Sequence, residues 1–151
     1  MQTFRDVGFR LLGKREYSVH EFRRKLLAKF PDDAEGIEAL IEELKKKKWL
    51  SNERFCALFI EDQVLKRSTG PRKIVQKLRS KSIFEDMAKK AVEKYFLLED
   101  QINIAKELVD KKKKDILRRK KDLSEFKLEA KLKQFLYGRG FGGEVIDEVL
   151  Q

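Results

Sequence analysis

Apolar residues recur every three or four positions along nearly the whole chain, with charged residues between them. This spacing is typical of amphipathic α-helices, and no stretch shows the strict alternation of a half-buried β-strand. Only two prolines and eight glycines interrupt the 151 residues. The pattern therefore predicts an all-α protein, with helix starts at Ser18, Ser51 and Pro71, where hydroxyl caps or a first-turn proline are favourable.

A short helical pattern occurs three times, centred on Leu26, Leu78 and Leu136. In each copy an apolar residue stands four positions before the leucine, and a basic residue stands three positions after it. Repetition at this distance indicates tandem supersecondary units that are each too small to hold a core alone. We predict an elongated array of three tandem three-helix units. They span residues 1–50, 51–97 and 98–151, here called the first, second and third units.

The middle copy has the densest positive charge. Lys73, Lys77 and Lys81 stand four residues apart, so they line one side of a helix and are called the middle stripe below. Between Gln63 and Phe84 there are seven Lys and Arg and no Asp or Glu. Because like charges at this spacing disfavour a helix, binding of an anionic partner would explain them. The alternative is a solvated face that aids solubility.

Composition also favours an extended architecture and an anionic partner. Charged residues make up 41% of the chain, compared with roughly 25% in an average globular protein, which favours a thin architecture with a large surface. The formal net charge of +10 favours a polyanionic partner, either nucleic acid or an acidic protein surface. The lysine runs at 45–48, 111–114 and 118–121 are less specific, and we interpret them as solvated helix surface.

The sequence contains few residues of the types that catalytic and metal-binding sites use. The single histidine, His20, and the single cysteine, Cys56, are too few for the usual metal clusters or His-based catalytic sets. We therefore predict a protein with no catalytic residues, no metal and no cofactor. No apolar run approaches the ~20 residues of a membrane-spanning helix, and no signal peptide pattern is present, so we expect a cytoplasmic protein without a membrane partner.

Aromatic residues are assigned to the interior. Phe4, Phe9, Phe22, Phe55 and Phe59 stand at core spacing, so we expect them to pack inside the units rather than to stack on nucleic-acid bases. Trp49 is expected to cover the core of the first unit.

Four ordered motifs make the sequence similar to the RecX family, the bacterial regulatory proteins of the RecA recombinase. They are REYSVHEFRRKL at 15–26, WLSNERF at 49–55, GPRKIVQKLRSKSI at 70–83 and LYGRGF at 136–141. Two departures are Asn52, where the family usually has Asp, and Ser82, where it usually has Gly. Because a residue after a helix end often adopts a left-handed conformation, Ser82 is expected to alter that helix end locally.

The resemblance implies an all-helical protein that binds along the deep groove of the RecA–single-stranded DNA filament. Such proteins limit filament growth, strand exchange, ATPase and coprotease activity, so inhibition is the expected direction. We expect a monomer that contacts the filament or its DNA through basic side chains. These are Arg15, Arg24, Lys25, Lys29, Arg54, Arg67, Arg72, Lys73, Lys77, Arg79, Lys81 and Arg139. The alternative is a direct nucleic-acid-binding module whose three-helix units dock like helix-turn-helix domains.

Overall fold

The computed structural model describes all 151 residues and contains nine α-helices, one short 3-10 helix and no strand. The first unit holds α1 (Phe4–Lys14), α2 (Val19–Lys29), the 3-10 helix (Pro31–Asp33) and α3 (Ala34–Lys46). The second holds α4 (Asn52–Lys66), α5 (Pro71–Ser80) and α6 (Glu85–Tyr95). The third holds α7 (Leu98–Arg119), α8 (Glu125–Gly138) and α9 (Gly143–Val149). The predicted all-α fold of tandem helical units is confirmed. The unit boundaries after residues 50 and 97 fall between helices and stay a prediction.

Hydroxyl caps begin several helices. Ser18 and Ser51 each accept a hydrogen bond from the backbone N–H three residues later, as predicted, and Ser124 does the same for α8. The spacing of Ser18 and Glu21 also predicts a capping box, in which the glutamate side chain accepts from the Ser18 backbone N–H, and this second half is not formed. The Glu21 carboxylate accepts from the Arg15 guanidinium instead of from the Ser18 backbone. Ser82 has a φ of 63°, so it adopts the left-handed conformation expected after α5.

The repeat positions are the centres of the cores. Leu26, Leu78 and Leu136 are fully buried, as the shared pattern predicts. The buried apolar residues form two separate clusters. One cluster lies in the first unit, so the expectation that each unit is too small to hold a core alone is wrong for this unit. The other cluster contains residues from every helix of α4 through α9. The second and third units therefore share one core.

The accessible surface shows a thin molecule. It measures 10075 Å², whereas a compact monomer of this size would expose about 8000 Å². The expectation that Phe9 packs inside the first unit is wrong, whereas the covering position expected of Trp49 stays a prediction. The side chains of Phe9 and Trp49 are 40% and 51% exposed, and their rings meet edge to face at 6.1 Å on the surface of the first unit. A three-helix unit is too thin to enclose them both.

Candidate interface for an anionic partner

Two lysines of the middle stripe lie against α4. The Lys77 ammonium donates a hydrogen bond to the Gln63 side-chain oxygen at 2.8 Å, and the Lys81 ammonium lies 5.6 Å from the centre of the Phe59 ring. None of the three stripe lysines forms an ion pair with a carboxylate. Their positive charge is therefore not neutralised within the molecule.

At one end the middle stripe meets the third unit, where two of the sequence motifs come together. The Gly70 N–H donates to the Arg139 carbonyl at 2.8 Å, and the Arg72 N–H donates to the Gly140 carbonyl at 3.0 Å. Gly140 has a φ of +99°, and a Cβ atom there would lie 2.6 Å from the backbone nitrogen of Lys73. Only glycine fits such a close backbone approach. The glycines of both motifs therefore serve to join the second and third units.

Three predicted contact residues are used inside this second–third junction. Arg72 donates to the Tyr137 carbonyl, and its guanidinium carbon lies 4.0 Å from the centre of the Tyr137 ring. Arg139 donates to the Ser68 carbonyl at 3.1 Å. Arg67 forms two hydrogen bonds, of 2.8 and 2.7 Å, to Glu107. The hydrogen bonds from Arg67 lower the pKa of the Glu107 carboxyl.

At its other end the middle stripe approaches the first unit. The pKa of the Glu21 carboxyl is lowered mainly by hydrogen bonds from Arg15, and further by the nearby charges of Lys81 and Lys25. Arg15 also stacks on Tyr17, with its guanidinium carbon 3.7 Å from the ring centre. Lys81 of the second unit and Lys25 of the first therefore face the same carboxylate, and the basic surface crosses from one unit to the other.

Polar contacts hold this first–second junction together. The Val19 N–H donates to the Asn52 side-chain oxygen at 2.8 Å. Arg54 pairs with Glu16 and also donates to the Lys48 carbonyl at 2.7 Å. Asn52, a departure from the family pattern, is thus a connecting residue, and Arg54 is a second internal link.

The twelve predicted contact residues fall into two groups. Five arginines donate a hydrogen bond to a carboxylate or a backbone carbonyl within the chain: Arg15, Arg54, Arg67, Arg72 and Arg139. Seven residues donate to neither, although Lys29 and Lys77 donate to the side-chain oxygens of two glutamines: Arg24, Lys25, Lys29, Lys73, Lys77, Arg79 and Lys81. The guanidinium fork suits carboxylate and carbonyl partners better than an ammonium does, which explains why the internal group contains only arginines. Contact of either group with a partner stays a prediction.

One group of cations, around the Phe135 ring, was not predicted from the sequence. Lys112 belongs to a lysine run interpreted as solvated, yet its ammonium lies 5.3 Å from the centre of the Phe135 ring, and the Arg139 guanidinium carbon lies 5.2 Å from the same centre. The spacing of Lys131, Phe135 and Arg139 at intervals of four was the visible signal. The contribution of Lys112 from another helix was not visible in the sequence.

The remaining candidate chemistry is limited. Cys56 is completely buried, and burial raises the pKa of its thiol to about 11. No three His, Cys, Asp or Glu side chains are grouped so that they could hold a metal ion. The helices are all too short or too polar to cross a bilayer. The absence of catalysis stays a prediction.

Comparison with known proteins gives consistent matches. Residues 99–150 match the family model described as RecX, third three-helix domain. The chain is 32% identical over 144 residues to the regulatory protein RecX of Pelodictyon phaeoclathratiforme, covering 95% of this chain and 84% of that protein. It is 29% identical over 149 residues to the regulatory protein RecX of Oceanobacillus iheyensis, covering 99% of this chain and about half, 51%, of that protein.

A solved structure shares the fold. The crystal structure of RecX from Lactobacillus salivarius superposes with a TM-score of 0.84 at 21% identity. The match covers 98% of this chain and 92% of that one.

Proposed function

This chain belongs to the RecX family of regulatory proteins, and from that premise we propose that it binds the RecA–single-stranded DNA filament along its groove. Binding limits the recombinase, ATPase and coprotease activities of RecA. In this proposal the chain acts as a monomer in the cytoplasm and has no catalytic activity of its own.

The observation that carries the proposal is the unneutralised basic surface. No lysine of the middle stripe forms an ion pair, the stripe reaches the third unit at Gly140, and Lys81 lies near the same carboxylate, Glu21, as Lys25 of the first unit. An extended array of cations on a thin molecule suits an extended anionic partner, since summed surface charge attracts and orients such a partner. Because the basic surface extends across unit boundaries, we infer that contact is made by more than one unit.

A direct nucleic-acid-binding module is the second candidate, favoured by the net charge of +10. The two functions differ in their salt dependence. Direct binding to single-stranded DNA alone should weaken with salt along a log–log slope of about −0.7 per phosphate contact. Binding that requires RecA should be strong only when the filament has been assembled.

The test is the ATPase activity of RecA on single-stranded DNA with increasing amounts of this protein. We compare the wild type with Lys73→Gln/Lys81→Gln. Lys77 is left intact because its substitution would also remove the hydrogen bond to buried Gln63. The concentration for half-maximal effect should rise by roughly tenfold, equivalent to about 1.4 kcal/mol of binding free energy, with circular dichroism unchanged.

The matched control is Lys113→Gln/Lys114→Gln, which removes the same charge from exposed positions on α7. It should behave like the wild type. Equal loss in both variants would show a diffuse charge effect without a specific surface. If the wild type left RecA activity unchanged at every concentration, the proposed function would be wrong.

A further inference from the structure

A cleft of about 370 Å³ lies in the third unit between α7 and α8. Lys112, Arg119 and Lys120 line it from α7, and Lys131 and Phe135 line it from α8. This α7–α8 cleft is formed by different helices from those that carry the middle stripe. Two consecutive helices and the residue that follows α7 thus bring four cations around one opening.

The positive charge of the α7–α8 cleft is largely unneutralised. Its one carboxylate, Asp115, already accepts a hydrogen bond from Arg118 at 2.7 Å and lies 3.7 Å from Arg119. These contacts, with the Arg118 hydrogen bond the largest cause, lower the pKa of Asp115. The three lysines of the cleft form no ion pair: Lys112, Lys120 and Lys131. An anion entering the cleft would therefore meet ammonium groups that are not held in an ion pair.

Phe135 determines which part of a ligand the cleft suits. Its half-buried ring has the Lys112 ammonium and the Arg139 guanidinium within 5.3 Å of its centre. Cations at this distance are attracted by the ring, so the ring helps to keep Lys112 in the cleft and holds one more positive group, Arg139, beside it. A flat base would have to displace them before it could stack. The arrangement therefore favours an oxyanion over a nucleobase.

The helix dipole explains the presence of only some of the four cations that line the α7–α8 cleft. Arg119 and Lys120 stand at the C-terminal end of α7, where cations interact favourably with the helix dipole. Lys112 and Lys131 lie within helices, away from either end, so the dipole does not account for them. Like charges converging from two helices repel each other, and a bound anion would remove that repulsion.

We propose that the α7–α8 cleft binds a phosphate group, supplied either by the backbone of a single-stranded nucleic acid or by a free phosphate compound. This site needs neither RecA nor the middle stripe, so it is independent of the function proposed above.

The experiment compares the wild type with Lys120→Gln/Lys131→Gln. Binding of a fluorescein-labelled oligothymidylate is measured by anisotropy over a range of salt, and binding of inorganic pyrophosphate is measured by calorimetry. If the strand occupies the cleft, its affinity at low salt should fall about tenfold, and the log–log salt slope should become shallower by about 1.4, which is 0.7 for each of two lost contacts.

The control Lys113→Gln/Lys114→Gln removes equal charge from positions of α7 outside the cleft, and it should retain wild-type binding to both probes. Loss of oligothymidylate binding in the cleft variant alone supports the proposal with a nucleic-acid strand as the source. Loss of pyrophosphate binding alone supports it with a free phosphate compound. Equal changes in both variants, no change in either, or no binding of either probe by the wild type would overturn it.

Discussion

The two junctions between units are built in different ways. The second and third units share one apolar core and are joined by backbone hydrogen bonds between residues 70–72 and 139–140. The first unit has its own core, and it is linked to the second through Asn52 and through Arg54, whose side chain is exposed. Burial of apolar surface stabilises by about 25 cal/mol per Å², whereas exposed ion pairs contribute about 0–1 kcal/mol.

This difference indicates that the second and third units form a rigid pair and that the first unit is less firmly attached. We expect the second and third units to unfold together, because neither can expose its half of the shared core without disrupting the other. The first unit can change its orientation at a smaller free-energy cost. The middle stripe lies on the rigid pair, whereas Arg24, Lys25 and Lys29 lie on the unit that can adjust to a partner.

The largest expected effect comes from Gly140→Ala. The new Cβ would be placed 2.6 Å from the Lys73 nitrogen at a φ of +99°, which strains the backbone and disrupts the hydrogen bonds of the second–third junction. We expect a loss of roughly 2–4 kcal/mol in the free energy of unfolding, measured by urea denaturation. The control is Gly138→Ala, because a Cβ there meets nothing within 4 Å. Similar stability of the two variants would contradict the tight junction.

Thiol labelling provides a local measurement of the same junction. Cys56 is buried in the shared core and its thiol pKa is raised to about 11, so labelling at pH 8 should require opening of that core. Gly140→Ala should accelerate labelling on the order of 100-fold, following the loss of unfolding free energy. Asn52→Ala should leave the labelling rate close to wild type. Acceleration by both variants would mean that the whole chain opens as one unit.

A smaller effect is expected from Asn52→Ala at the first–second junction. It removes the acceptor for the Val19 N–H, and the loss of one partly buried hydrogen bond costs about 1 kcal/mol. Hydrogen exchange of the Val19 amide should become faster, and Asn52→Asp should restore protection because a carboxylate also accepts. The control is Asn103→Ala, at an exposed position of α7. If Asn52→Ala destabilised the protein as much as Gly140→Ala, the junctions would not differ as described.

The smallest effect concerns acid stability of the first unit. Hydrogen bonds from Arg15 lower the pKa of the Glu21 carboxyl below its ordinary value of 4.5. The ion pair therefore contributes stability above that pH and loses it as the pH falls through the lower pKa of the folded state. Below about pH 4.5, the free energy of unfolding should fall less steeply with acid in Glu21→Gln than in the wild type. The difference should be less than about 1 kcal/mol. Glu35→Gln, at an exposed position of α3, is the control and should keep the wild-type pH profile in acid urea titrations.

Local features of this fold could be predicted from the sequence, and contacts between units could not. The helix starts at Ser18, Ser51 and Pro71 depend on neighbouring residues, so the pattern was sufficient to predict them. The pairs Arg54–Glu16 and Arg67–Glu107 join residues 38 and 40 positions apart. Such pairs depend on how units pack, which no local pattern specifies. The sequence therefore identified the basic residues without separating the internal arginines from the unneutralised lysines.

The first turn of α5 hydrogen-bonds to the carbonyl of Gly140, and this contact affects the order in which the units can fold during synthesis. The Arg72 N–H finds its acceptor in a residue made much later, and Phe141 belongs to the shared core. The first unit encloses its own core between Val7 and Leu50, so it can fold while the ribosome is still elongating the chain. We expect the second unit to remain incomplete until the last helices have emerged. A truncation before residue 139 should consequently leave two units unfolded.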